Sequence, residues 1–165
     1  MPITLVAIDP AFGSDTLFAR YRDHRATLNW ADSLIGRTLT ERAPEVKWVL
    51  PPRLRKLARR APGLVDDPDE MGQAMLRSPR LKEVPDQLRP PLRNLMALVN
   101  GRIVFVPAAL GFSRDPDGQV RAELSLVAAD TRSGRILWRS VPVASGATPG
   151  AALAGALAAV LPLDQ

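Results

Sequence analysis

From Gln119 to Asp130, apolar side chains recur at every second position over the length of a long β-strand. This series consists of Val120, Ala122, Leu124, Leu126 and Ala128. Because successive side chains of a strand point to opposite faces, the period predicts a strand with one buried face. Turn-forming Asp, Pro and Gly residues flank it at 115–118 and 130–134. We therefore predict a three-stranded antiparallel meander over residues 102–143.

Three residues of this meander carry more specific expectations. Pro107 and Pro142 cannot donate to a strand ladder, so each is predicted to mark an edge, a bulge or a strand end. Trp138 follows the second turn at the same parity as Ile136. We expect both side chains on one face of the sheet, with Trp138 buried or at an interface.

The rest of the chain mixes short apolar runs with helical periodicity. Apolar runs closed by prolines predict buried strands at 3–8 and 46–50. Apolar spacings of three and four predict helices, two of them with polar N-caps. The predicted helices cover 30–42 (capped by Asn29), 52–61, 86–99 and a final segment to Leu161 (capped by Thr148).

These elements predict an α/β (α+β) fold in which helices pack on a mixed sheet of about five strands. Its C-terminal part is the antiparallel meander. At 165 residues the chain has the length of one ordinary domain, so residues 1–165 are expected to form a single domain.

An acidic cluster at 66–70 allows two interpretations. It could hold a cation or supply a pair of catalytic carboxylates. Alternatively, Asp67 could cap a helix in which Pro68 takes the first position and the acids favour the helix dipole. We favour the helix, which would continue through Met71, Met75 and Leu76.

Catalytic and metal-binding patterns are sparse. The chain has no cysteine and a single histidine, His24, in a charged stretch that is expected to be exposed. It contains no glycine-rich phosphate-binding motif and no nucleophile-elbow motif. The turn at 115–118 lacks the remaining ligands of a calcium loop. We therefore predict no enzymatic activity, cofactor or metal; the alternative is a small enzyme with converging carboxylates of Asp9, Asp66 or Glu70.

The net charge is +5 and the isoelectric point is about 10.6, a balance that favours anionic partners. The predicted helix at 52–61 has one apolar face and an otherwise cationic surface. Its candidate partner-binding residues are Arg53, Arg55, Lys56, Arg59 and Arg60. They could form a plain solvated face, or dock to an acidic protein, an anionic lipid headgroup or an envelope polymer. Nucleic acid is the alternative partner, disfavoured because the strands offer few aromatic side chains for base stacking.

Two segments, together with the order of elements, resemble a known family. A strand opens after Asn100-Gly101, and residues 130–138 read Asp-Thr-Arg-Ser-Gly-Arg-Ile-Leu-Trp. This is similar to the bacterial cell-envelope family that groups the TolB N-terminal domain, CsgG, PelC and LpoB, where such a segment closes a β-hairpin. The resemblance implies a non-enzymatic adaptor or assembly component that binds proteins or envelope polymers, and several members self-associate. The segment 10–29 is longer than the usual loop of that family.

The N-terminal sequence gives only part of the information needed to predict the cellular compartment. Residues 1–8 lack the basic region and long apolar stretch of a signal peptide, and no lipobox is present. The protein is therefore expected to be cytoplasmic, or periplasmic or outer-membrane-associated if a leader was removed. The longest apolar run, 151–161, is short of the roughly 20 residues that a bilayer requires, so no transmembrane segment is predicted.

Overall fold

The computed structural model describes residues 1–12 and 15–161. Its strands are β1 (Val6–Ile8), β2 (Ile103–Arg114), β3 (Val120–Asp130), β4 (Ile136–Ser140) and β5 (Val143–Gly146). Its α-helices are α1 (His24–Arg42), α2 (Pro51–Ala58), α3 (Arg89–Ala97) and α4 (Pro149–Ala158). Short 3₁₀ segments lie at Pro10–Phe12, Thr16–Tyr21 and Gln73–Arg77.

The five strands form one mixed sheet. β2 and β3 pair antiparallel in a continuous register from Ile103 opposite Asp130 to Arg114 opposite Val120, apart from one bulge. β4 and β5 both pair antiparallel with the other edge of β3, whereas β1 pairs parallel with β2. The predicted α+β class, the mixed sheet and the antiparallel meander are confirmed.

Both predicted turns close hairpins by the expected chemistry. The Asp115 carboxylate accepts the N–H groups of Asp117 and Gln119 at 3.1 and 2.8 Å. Gly118 and Gly134 have φ angles of 79° and 76°, in the left-handed region that glycine enters without steric cost. The turn residues of this part of the chain therefore form the two turns through contacts with residues close in sequence, as predicted.

Helices cover both faces of the sheet and create two hydrophobic clusters. One lies between the sheet and α1 with α4, and includes Ile35, Leu153 and the β3 side chains of Leu124 and Leu126. The other lies between the opposite face and α2, α3 and the 73–77 segment; its members include Leu54, Leu76, Leu95, Val106 and Val127. The sheet is thus the middle layer of three.

Two bulges change which face a side chain reaches. The register of β2 shifts between Pro107 and Ala109, which confirms that Pro107 marks a bulge. A second shift places Trp138 opposite Ala128 but Ile136 opposite Ala129. Because the extra residue reverses the alternation, Trp138 packs on the α1 cluster and Ile136 on the α3 cluster. The prediction of one shared face is wrong, although Trp138 is partly buried.

The third strand of the predicted meander, which follows the turn at 130–134 and ends at residue 143, is divided into β4 and β5. The division lies at Val141 and Pro142, and Pro142 still accepts the Leu124 N–H with its carbonyl oxygen at 3.0 Å. Proline has no N–H to return to the ladder, so the pairing is interrupted there. Pro142 therefore marks a strand end, as predicted.

The helices differ from their predicted bounds at both ends: α2 ends at Ala58 and not at residue 61, and α4 ends at Ala158 and not at Leu161. α1 begins at His24 rather than after Asn29, because the Asp23 carboxylate accepts the Ala26 N–H and caps the helix. α3 begins at Arg89, with prolines in its first turn, and is shorter than the predicted 86–99. Thr148 caps α4 as predicted. None of the helices in the described ranges combines the length and apolarity needed to cross a membrane.

Two predicted elements are wrong. Residues 46–50 form no strand; the chain there is held by local bonds, including Val46 N–H to the Ala43 carbonyl oxygen at 3.2 Å. The acidic segment does not start a helix. Instead, the Asp67 carboxylate accepts the Asp69 N–H at 2.9 Å in an Asx turn, and only the 3₁₀ segment Gln73–Arg77 follows.

Candidate functional site

An apolar cleft of about 630 Å³ opens between α1, the segment 46–51 and the start of β2. Ile35 and Leu39 of α1 form one wall, and the aromatic rings of Trp48 and Phe105 form another. The two rings meet edge to face with their centroids 5.7 Å apart. We refer to this space as the apolar cleft.

Local sequence explains how the segment 46–51 can cross α1 so closely. Gly36 has no side chain, and a Cβ at this position would lie 3.4 Å from Leu50 Cδ1. Leu50 therefore packs directly on the α1 backbone. The Trp48 indole N–H donates to the Ala43 carbonyl oxygen at 3.0 Å, which holds the ring against the end of the helix. These contacts replace the strand pairing that the sequence predicts here.

The rim of the apolar cleft combines exposed apolar side chains with two exposed polar ones. Val46 is 39% exposed and Ile103 is 48% exposed, and both line the opening. Lys47 and Asn100 are the polar side chains at the same mouth. Apolar side chains that stay in water beside a preformed cavity are typical of sites that bind another molecule.

A buried ion-pair network adjoins the cleft. Arg55 donates to both carboxylate oxygens of Asp69 at 2.8 and 2.7 Å, and to Asp32 at 2.7 Å. Asp32 also accepts the Ile3 N–H at 2.7 Å. The network thus joins α1, α2, the N-terminal segment and the acidic turn. Asp32 also lines the apolar cleft, so one carboxylate of the network forms part of its wall.

The two carboxylates of this network respond differently to their surroundings. Burial raises the pKa of Asp32, and this effect outweighs the hydrogen bonds from Ile3 and Arg55. For Asp69, the hydrogen bonds from Arg55 are the main influence and lower its pKa. Asp69 therefore stays ionised, while the charge on Asp32 depends on its hydrogen bonds.

The structure separates the five predicted partner-binding residues. Arg53, Lys56, Arg59 and Arg60 are exposed and form what we call the cationic ridge. Arg55 is turned inward, with only 16% of its side chain exposed. The expectation that it lies on the outer surface of the helix is wrong, because Asp32 and Asp69, distant in sequence, supply its partners.

The candidate catalytic residues do not converge on the apolar cleft. Asp9, Asp66 and Glu70 are exposed and do not line it, and His24 is exposed at the start of α1. Within residues 1–12 and 15–161, no three His, Asp or Glu side chains form a group that could hold a metal.

No protein-family model, curated protein or solved structure matches this chain. The resemblance carried by residues 100–104 and 130–138 therefore stays a prediction.

Sequence reasoning did not find Trp48 and Phe105 as cleft residues, or Asp32 and Asp69 as a linked pair. One signal was present: Asp32 lies among the apolar positions of α1, next to Ala31 and three residues before Ile35. A carboxylate within a buried helical stripe indicates a buried cationic partner, because an unpaired buried charge is costly. The sequence offers no comparable signal for the cleft itself.

Proposed function

We propose that this protein is a non-enzymatic module of the bacterial cell envelope that binds a partner protein through the apolar cleft. The observation that carries the proposal is the preformed cavity of about 630 Å³ with a partly exposed aliphatic rim. This volume lies within the range of known binding pockets, which are mostly apolar with a few polar groups.

The chemistry of the cleft supports binding rather than catalysis. Its walls are mainly aliphatic and aromatic carbon, which can bury apolar groups of a partner. The carboxylate of Asp32, which lines the cleft, is paired with Arg55, as is the carboxylate of Asp69. Asp130, another buried carboxylate, is paired with Arg102 at 2.6 Å and caps a turn.

The envelope location is the part of this proposal that rests on the family resemblance. The proposed location predicts that the native protein fractionates with the periplasm or the outer membrane. Recovery in the cytoplasm alone would contradict the location and leave the binding site unaffected.

The binding proposal can be tested by site-specific photo-crosslinking in the native host. A photoreactive residue at position 46 should capture one partner, and mass spectrometry should place the crosslink in an apolar segment of that partner. Ile103→Lys introduces a charge at the exposed rim and should lower the crosslink yield about tenfold by preventing apolar burial. Val143, which is 37% exposed on β5, provides the matched control Val143→Lys.

Two results would contradict the proposal. One is the absence of a position-specific crosslink at 46. The other is an equal loss of yield in both lysine variants, which would show that the rim has no special role. Circular dichroism of each variant checks that the fold is retained. A crosslinked dimer would identify a second copy of this chain as the partner.

A further inference from the structure

Two shallow depressions with charged side chains at their edges lie beside the apolar cleft, between α1 and α2. A shallow depression of about 220 Å³ shares Gly36 and Leu50 with the cleft. A second depression, of about 390 Å³, shares Asn29 and Arg55 with the first. We call these two depressions the interhelix groove. Cleft and groove lie end to end along α1, with the contact of Leu50 on Gly36 between them, and we call them together the track.

The character of the track changes from apolar to cationic along its length. Exposed Arg37 lines the first depression, and exposed Arg25 and Arg59 line the second. Arg55 pairs with Asp32 and Asp69, and Arg25 also lies 3.6 Å from Asp69. With the exposed Asp67 included, four arginines and three carboxylates line the two depressions, which leaves the groove a net charge of +1.

We propose that this track binds an extended segment of a partner protein, with apolar anchors in the cleft and acidic residues along the interhelix groove. This inference rests on the proposed function and names the chemistry of the partner. Apolar burial would supply most of the affinity, and the acidic residues would set the direction in which the segment lies.

The dimensions of the track suit a short extended segment. Arg25 and Leu39, which line its two ends, are separated by 14 residues of α1. At 1.5 Å per helical residue this distance is about 21 Å. An extended chain covers it with about six residues.

The distribution of charge favours a peptide over a lipid. A fatty acid or phospholipid carries its charge in one headgroup, next to its apolar tail. Arg25 and Arg37 are three turns apart on α1, so one headgroup cannot contact both. Several acidic side chains along one segment can.

Nucleic acid fits the track less well than a peptide. The cleft is a recess with aliphatic walls rather than an open platform on which bases stack. A peptide can place aliphatic side chains in the recess and keep its charges outside.

A random peptide display library, selected on the purified protein, tests the chemistry of the segment directly. Enriched sequences should carry large apolar residues at one end and Asp or Glu at the other. Enrichment of apolar residues with no acidic bias, or with a basic bias, would overturn the inference.

Charge reversal tests the groove with a matched control. A fluorescently labelled enriched peptide should bind Arg37→Glu/Arg59→Glu at least about tenfold more weakly than the unchanged protein at low salt. Added salt should reduce this difference, because it screens exposed charges. Arg80→Glu/Arg93→Glu reverses two exposed arginines that lie outside the track, and should change the affinity less than about twofold. An equal loss in both double variants would overturn the inference.

Failure of this inference can be distinguished from failure of the proposed function. If the crosslink from position 46 persists in Arg37→Glu/Arg59→Glu at unchanged yield, the cleft binds a partner but the groove does not. Binding of phosphatidylglycerol vesicles in place of any peptide would assign the track to a lipid surface and overturn the inference. Concentration-dependent dimerisation that is lost in the same variant would assign it to a second copy.

Discussion

Arg55 is the single residue on which most of the site's internal order depends. Its guanidinium makes three hydrogen bonds of 2.7 to 2.8 Å to two carboxylates from different parts of the chain. Bidentate pairing of this kind matches the planar geometry of arginine, which lysine cannot reproduce. The pKa of Arg55 is raised, mainly by the bonds to Asp69, so its charge is permanent.

We predict that Arg55→Met destabilises the protein by about 3–5 kcal/mol. The substitution leaves Asp32, with 5% of its side chain exposed, without its cationic partner. Urea-induced unfolding at neutral pH measures the loss. Arg53→Met, two residues away on the exposed ridge, is the matched control and should change stability by less than about 0.5 kcal/mol.

The pH dependence of that loss follows from the two carboxylates. Without Arg55 the pKa of Asp32 rises further, so Asp32 takes up a proton more readily in the folded variant. In the unchanged protein, Asp69 has a lowered pKa and contributes stability above its unfolded value, which is lost on acidification. Both effects make the difference between the two proteins smaller at acid pH. A difference that grows on acidification would contradict this account.

Among the elements, those specified by local chemistry were predictable from sequence. The alternation over β3 and the turn residues at 115–118 and 130–134 act within a few residues, and the structure confirms them. Thr148 likewise caps its own helix. Pro107 and Pro142 interrupt strand pairing because of their own covalent structure, so their effect could be predicted without knowledge of the fold.

Elements that depend on distant partners could not be predicted. Residues 46–50 have the composition of a strand, but the segment is held against α1, where Leu50 packs on Gly36 and the Trp48 indole N–H donates to the Ala43 carbonyl oxygen. The acidic residues at 66–70 suit a helix cap and an Asx turn equally well, and Asp69 is held by Arg55 from another helix. The apolar cleft arises where α1, 46–51 and β2 meet, so no single segment encodes it.

The turn between β3 and β4 gives a prediction at this scale. Arg102 donates to Asp130 through two nitrogens at 3.0 and 2.6 Å, and these bonds are the main cause of the lowered pKa of Asp130. A carboxyl whose folded pKa is lowered contributes stability above its unfolded pKa of about 4 and loses it as pH falls further. Asp130→Asn should therefore lose less stability than the unchanged protein between about pH 5 and about pH 2, the range in which Asp titrates. Equal acid sensitivity of the two proteins in urea titrations would contradict the assignment.

At the scale of the whole molecule, one sheet supports two separate hydrophobic clusters. β2 and β3 contribute side chains to both, because successive side chains of a strand point to opposite faces of the sheet. If the helices on one face of the sheet were lost, the apolar side chains on that face of β2 and β3 would be exposed to water. The helices on the other face pack on the same two strands. The two layers are therefore expected to unfold together in one cooperative transition.

The positions of the tryptophans make this cooperativity measurable. Trp30, Trp48 and Trp138 all pack on the α1 cluster, so their fluorescence reports on that layer, whereas far-UV circular dichroism reports on all elements. Leu95→Ala, in the α3 cluster, should lower stability by about 2–5 kcal/mol, and Ile35→Val, in the α1 cluster, by about 0.5–1.5 kcal/mol. Since the clusters lie on opposite faces of the sheet, the two losses should add to within about 0.5 kcal/mol. In each variant the fluorescence and dichroism transitions in urea should coincide. A shift of the dichroism curve alone in Leu95→Ala would show that the α3 layer unfolds independently of the layer that carries the tryptophans.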